Sequence, residues 1–352
     1  MAYHTTPYLL LFLPAALLFY QITPAKWRSY TLLIFSYLFF WSFSEKLIIY
    51  LIGTTFLTHH ICIWMDTMDK RDKRKKRVLQ LGIFLLLGTI LYLKYRNFFF
   101  GNVSKLAMVL HIDWSYQDQL IFLPIGISFY TLSAIGYMAD VYWGKVKAEY
   151  SLVKTALFLG FFPVIVEGPI CRWEDVEDTL FKNESVKAEN VFKGCYRIIW
   201  GLFKKMIIAD RLAVLVDKVY VGYESYSGAV IVAAAISYTI QLYMEFSGCM
   251  DMVIGSAGLF GIRLPENFSQ PFFAKTCTDF WKRWHITLGV WFKNYIFYPV
   301  SISKTARKWN KFTRKHFKGD FGKYVARMGV AAMALFPVWI SNGLWHGPKW
   351  NY

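Results

Sequence analysis

Apolar runs long enough to approach a bilayer crossing recur along the chain at 7–22, 30–43, 47–65, 78–100, 120–138, 152–166, 229–246 and 325–340, separated by short polar or basic connections. A crossing takes about 20 apolar residues in helical form, because lipid offers no partner for an open backbone. The pattern predicts an all-α, polytopic membrane bundle with these eight runs as its main spans, and re-entrant or interfacial helices besides. Two further segments show helical periodicity without the hydropathy of a crossing. Between Phe192 and Arg211, Lys193, Arg197 and Lys204 share one face while Cys195, Ile199, Phe203 and Met206 form an apolar stripe. Such a helix lies near the interface or lines a polar groove. Between Phe280 and Tyr295, spacings of three and four align Trp281, His285, Leu288, Phe292 and Tyr295, with Lys282, Arg283, Lys293 and Asn294 to the side.

Composition sharpens the class. At 56% hydrophobic and 19% aromatic over 352 residues, the chain is too apolar for an ordinary soluble globule. Its net charge of +17 suggests nucleic acid at first sight, but the basic residues gather in short connections, 70–77 and 304–323, where cytoplasmic loops of membrane proteins carry them. Nucleic acid is therefore not an expected partner, whereas anionic lipid or an acidic protein could meet those runs. The five cysteines (Cys62, Cys171, Cys195, Cys249, Cys277) lack metal-like spacing and read as packing residues, with no metal site. The first apolar run has neither a basic leader nor an A-x-A cleavage site, which predicts a retained segment. No linker or repeat divides the sequence, so residues 1–352 read as a single membrane domain.

Ionisable groups inside such a domain are costly and mark candidate sites. His346 ends the run 325–340 in the block Asn342-Gly343-Leu344-Trp345-His346-Gly347; by position alone it is either a functional group or a histidine at a wet helix end. His285 sits in an aromatic stripe, where a packed, hydrogen-bonded histidine is the plain alternative. Glu245 and Asp251 lie in the apolar stretch 241–271, which ends in a Pro-rich polar loop, and must be paired, neutralised or turned to a water-filled cavity. Together these groups predict a polar interior. Such an interior serves conduction of a solute or chemistry on a substrate.

Several blocks carry a family resemblance: LPIGISFYTLSAIGYMADVYWG (123–144), FFPVIVEGPICRW (161–173), YRIIWGLFKKMIIADRL (196–212), EFSGCMDMVIGSAGLFGIRLPENFSQPF (245–272), DFWKRWHITLGVWFKNYIFYPV (279–300) and GLWHG (343–347). In this order the chain resembles the membrane-bound O-acyltransferases, of the bacterial branch that acetylates alginate. The resemblance implies a many-helix bundle with a central tunnel, a catalytic His346 acting as general base, and His285 as a second catalytic histidine. Asn342, four residues before His346, would orient the ring, stabilise an oxyanion or simply cap the helix. Trp281, Trp284 and Trp345 would wall the tunnel, with Glu245 and Asp251 in support. The implied donor is acetyl-coenzyme A or a pantetheine-linked carrier, used as cosubstrate and not held as a bound cofactor. The implied acceptor is an exported polysaccharide at the bacterial cytoplasmic membrane, with an extracytoplasmic SGNH-type transferase as partner. D-alanyl transfer to teichoic acid is the enzymatic alternative, and a transporter or an export-complex scaffold the non-enzymatic one. The pattern departs at Glu245, where relatives commonly carry Asp, at Pro348, and at Tyr352, beyond which relatives continue. The expectation is a domain without the C-terminal helices of full-length relatives.

Overall fold

The structure is a computed structural model that describes residues 2–69 and 72–350. Lys70 and Arg71 of the first basic run, and Tyr352, lie outside the described residues. Among the described residues every regular element is helical. The stretches Ala25–Asp66, Lys73–Val109, Gly228–Leu259 and Gly319–His346 are long and apolar enough to cross a membrane, and Pro7–Ile22 is a shorter apolar helix. Large apolar side chains such as Leu10, Ile34, Phe84, Val232 and Phe336 are exposed around the bundle, as expected where the solvent is lipid.

Helix α1 (Pro7–Ile22) packs on α2 (Arg28–Ser44), which is separated from α3 (Ile48–Asp66) by a break at Glu45, φ 43°. Helix α4 (Lys73–Val109) starts at Asp72, whose carboxylate accepts the Arg74 amide at 2.7 Å. Helix α5 (Ile127–Trp143) begins later than its apolar run. Gly126 precedes it with φ 78°, and a Cβ there would stand 1.9 Å from the Ile165 carbonyl oxygen, so only glycine lets the two segments meet.

The run 152–166 does not form a crossing. Helix α6 (Leu152–Gly160) stops short, and the chain folds back through buried Phe161, Phe162, Ile165 and Ile170 before α7 (Trp173–Leu180). Pro163 and Pro169 supply no amide hydrogen to a helix, so this stretch is a re-entrant loop inside protein, where irregular backbone is tolerated.

Helix α8 (Ala188–Leu202) continues through a π-helical segment (Phe203–Ala209) into α9 (Asp210–Val221). It packs along α10 (Gly228–Leu259) at backbone contact. Cβ atoms added at Gly201 and Gly194 would fall 2.6 Å from the Gly248 oxygen and 2.8 Å from the Gly255 oxygen; reciprocally, those at Gly248 and Gly255 would meet the Gly201 and Gly194 oxygens. Small residues seven apart on antiparallel helices thus create a seam with no side chain between the backbones. Ile199, Phe203 and Met206 face outward, leaving the cationic side of α8 to line a polar groove; Cys195 and Cys277 are exposed, unlike the buried Cys62 and Cys171.

The chain then runs through α11 (Cys277–Trp281), α12 (Ile286–Phe292) with its π-helical extension Lys293–Phe297, α13 (Tyr298–Ser301), the basic α14 (Lys304–His316) and α15 (Gly319–His346). The continuous stripe expected from Trp281 to Tyr295 is interrupted. His285 adopts a left-handed conformation, φ 45°, between α11 and α12. Backbone pairing explains the break: the Ile286 amide donates to the Asn267 carbonyl at 2.9 Å and the Ser269 amide to the Arg283 carbonyl at 3.0 Å, tying 283–286 to the 267–269 loop.

Candidate active site

His285 is 7% exposed and held from three directions. Its Nδ1 lies 3.2 Å from Asn267 Oδ1, and its ring meets Phe246 edge-on at 4.8 Å and Trp345 at 5.7 Å between centroids. Asn267, 1% exposed, is the hub. Its Oδ1 also accepts from the Thr287 amide at 3.1 Å and the Thr287 hydroxyl at 3.0 Å, and its amide group donates to Met250 Sδ at 3.2 Å. The Thr287 hydroxyl oxygen in turn accepts the Ile170 amide at 3.0 Å, joining the re-entrant loop to the same centre. Burial first, and the His346 imidazole second, push the His285 pKa below the usual imidazole range, so the ring is neutral. His285 Nε2 and Trp345 Nε1 are both buried without a hydrogen-bond partner among the described residues.

His346 is reached from the other side. Helix α15 runs unbroken to it, so Asn342 and His346 share a face as the spacing predicted, and the helix ends there, directly before Gly347 and Pro348. The last carbonyls of α15 are tethered to the apolar middle of α4: Lys94 Nζ donates to the Trp345 carbonyl at 2.6 Å and the Tyr95 hydroxyl donates to the Leu344 carbonyl. His346 itself is exposed at its helix end, with its ring 4.9 Å from that of Trp345. Trp345 therefore touches both imidazoles, and Phe129 closes its far edge at 5.5 Å.

A polar compartment adjoins this pair. A cavity of about 440 Å³ is lined by Arg197, Lys204, Tyr243, Ser247, Asp251 and Phe268 among others. Met250 and Phe268 belong to its wall and also support the histidine pocket, Met250 through Asn267 and Phe268 through Phe246 at 5.0 Å. Asp251 is nearly buried between Arg197 Nε at 3.1 Å and Lys204 Nζ at 2.6 Å, and Arg197 forms a two-pronged pair with Glu266 at 2.7 and 2.6 Å. The π-helical segment of α8 turns the adjacent Lys204 and Lys205 both toward α10, Lys205 reaching Glu245 at 2.8 Å and Asp210 at 2.6 Å. Beyond Arg197 and Glu266, which border both spaces, a charged groove of about 960 Å³ is lined by Lys182, Lys187, Lys193 and Arg263.

Comparison with known proteins gives this arrangement its context. A model of the membrane-bound O-acyltransferase family matches residues 145–314. The chain is 32% identical, over all of its length, to a probable alginate O-acetylase of Pseudomonas putida, of which it covers 68%. It is 28% identical to a peptidoglycan O-acetyltransferase of Helicobacter pylori, with 99% of the chain and 67% of that protein aligned. A teichoic acid D-alanyltransferase of Bacillus subtilis aligns at 28% identity over 63% of the chain and 53% of its own length. The chain belongs to the membrane-bound O-acyltransferase family.

For a member of this family, the structure sorts the expected residues into three places. His285, Trp345 and His346 meet. Asp251 borders the adjoining cavity, whereas Glu245 stands apart in the Lys205 pair. Trp284 stacks among Phe268, Tyr243 and Phe280, and Trp281 is 51% exposed against Trp339. Sequence reasoning passed over Asn267, Thr287 and Glu266. The only signal was the Glu266-Asn267 pair inside the Pro-flanked block, read there as a loop.

Proposed function

We infer that this membrane protein is an O-acyltransferase that passes an acetyl group from a thioester donor toward the hydroxyls of an exported polysaccharide. The observation that carries the reading is the meeting of a buried neutral His285 with His346 across Trp345, beside a polar cavity. His346 accepts the hydroxyl proton as the alcohol oxygen attacks the thioester carbonyl; the C–O bond forms, the C–S bond breaks, and the proton returns to the departing thiolate. Trp345 and Phe129 pack edge to face beside this exchange. The donor is acetyl-coenzyme A or a pantetheine-linked carrier, whose thioester approaches through the cavity bordered by Arg197 and Lys204.

The D-alanyl reading draws on the Bacillus subtilis relative, but that alignment covers less of the chain than those with the acetylating relatives. The protein resides in the bacterial cytoplasmic membrane, where the basic helix α14 rests at the anionic headgroups, and an extracytoplasmic SGNH-type transferase is its partner. The test is transfer in isolated membranes from labelled acetyl-coenzyme A and, separately, from a D-alanyl carrier. Acetyl transfer is expected, and His346→Ala should lower it by at least about a hundredfold with membrane insertion intact. Wild-type turnover in that variant would remove His346 as the base, and D-alanyl transfer alone would overturn the acetyl assignment.

A further inference from the structure

Asn267 Oδ1 is the oxygen of its amide, since the Thr287 backbone amide and hydroxyl both donate to it, at 3.1 and 3.0 Å, and a flipped amide would set hydrogen against hydrogen. An oxygen facing His285 Nδ1 at 3.2 Å requires the proton on that nitrogen. The other ring nitrogen is then a bare acceptor. We propose that Asn267 is a positioning residue that locks His285 in its Nδ1–H tautomer, presenting Nε2 to a hydrogen-bond donor of the substrate.

The surroundings make this lock costly to build and hard to explain as packing alone. His285 holds φ 45° without being glycine, a conformation that costs of order 1 kcal/mol and persists only when neighbours enforce it. Beside the Ser269–Arg283 backbone bond, the enforcing bonds converge on Asn267: its carbonyl takes the Ile286 amide at 2.9 Å while its side chain takes Nδ1 and Thr287. What they hold in place is the ring of a residue only 7% exposed, whose remaining nitrogen has no partner among the described residues, as is also true of the Trp345 indole N–H. A buried acceptor and a buried donor left open on rings whose centroids lie 5.7 Å apart suit a ligand bearing both functions. This inference rests on the acyl-transfer reading. If His346 removes the proton of the reacting hydroxyl, that proton is not available to His285, so Nε2 takes a different donor, a neighbouring sugar O–H or an amide N–H of the pantetheine arm. His285 then binds and aligns; it does not transfer a proton.

The experiment combines tautomer and kinetics in the full chain. Nitrogen-15 spectra of imidazole-labelled protein, with the His285 signals assigned by their loss in His285→Gln, should show Nδ1–H in the wild type. Asn267→Asp preserves an acceptor oxygen and should keep that pattern. Asn267→Ala should show Nε2–H or a mixture. In the transfer assay Asn267→Ala should lose roughly tenfold or more in kcat/KM, mainly through KM, and Asn267→Asp should recover most of it. An Nε2–H wild type, or an Asn267→Ala variant with unchanged tautomer, overturns the proposal, as does unchanged kcat/KM in that variant. The spectra need no turnover, so a failure of the acyl-transfer reading would show separately, as wild-type activity in His346→Ala.

Discussion

Replacing Gly201 by alanine is the sharpest test of how α8 and α10 are held. The new Cβ would lie 2.6 Å from the Gly248 oxygen, 2.8 Å from Met252 Cγ and 2.9 Å from the Met252 amide nitrogen. Two of these neighbours are helix backbone, which has no rotamer to change. Ordinary contact begins near 3.4 Å, so the helices must separate locally by about 0.8 Å or the backbone must distort. Overpacking of this kind costs about 1–3 kcal/mol. The same separation would stretch the 2.6 Å Lys204–Asp251 bond, one helical turn along the seam, to beyond 3 Å and weaken the wall of the inner cavity. The control is Gly88→Ala on α4, where a Cβ meets nothing within 4 Å, and where alanine favours the helix by up to about 1 kcal/mol. Thermal unfolding in detergent, followed by size-exclusion chromatography, should show Gly201→Ala melting several degrees below wild type and Gly88→Ala at or above it. Transfer activity of Gly201→Ala should fall below that of Gly88→Ala at temperatures where both are folded. Equal melting of the two variants would refute the backbone seam.

Other outcomes follow from the same contacts. Asp251→Leu leaves Lys204, a side chain only 14% exposed, without its carboxylate, and should destabilise by about 2–4 kcal/mol; adding Lys204→Met should recover much of that, and a simply additive double variant would count against a coupled buried pair. His285 gives stability a definite pH dependence. Unfolded, its ring protonates near pH 6.5; folded, burial holds it neutral to lower pH, so the unfolded state binds the extra proton and stability falls as pH drops below about 6.5, by up to about 1.4 kcal/mol per unit. Denaturation series should show a shallower slope in His285→Gln over that window, and parallel slopes would exclude the ring as the source. On the basic helix α14, whose cations have no salt bridge among the described residues, Lys308→Glu with Lys311→Glu should reduce retention of anionic phospholipid in native mass spectrometry of detergent-purified protein.

Hydropathy alone located the long helices, because a bilayer imposes the same length and polarity on every crossing; α4 and α15 extend past their apolar runs by a turn or more, and α10 runs on through the buried stretch 247–259 that packs on α8. It failed where protein replaces lipid as the surroundings. The run 152–166 is apolar enough to enter a membrane, yet Pro163 and Pro169 fold it back, and it is buried by neighbours that a single-chain profile does not see. The site shows the same division. His285 and His346 could be singled out because an imidazole in an apolar run is conspicuous, and their meeting across Trp345 required only that distant blocks pack together. Asn267 could not, since its importance lies in three donors arriving from residues 18 and 20 positions away and in the left-handed turn they impose. Helical periodicity through 281–295 even pointed to the wrong backbone there. Tertiary hydrogen bonds to one buried amide outweigh helix propensity over a single turn, because an unmet donor at that depth costs more than a broken turn. The departure from periodicity is thus the mark of the residue that arranges the histidine, and similar breaks in otherwise helical membrane segments are where positioning groups of this kind should be sought.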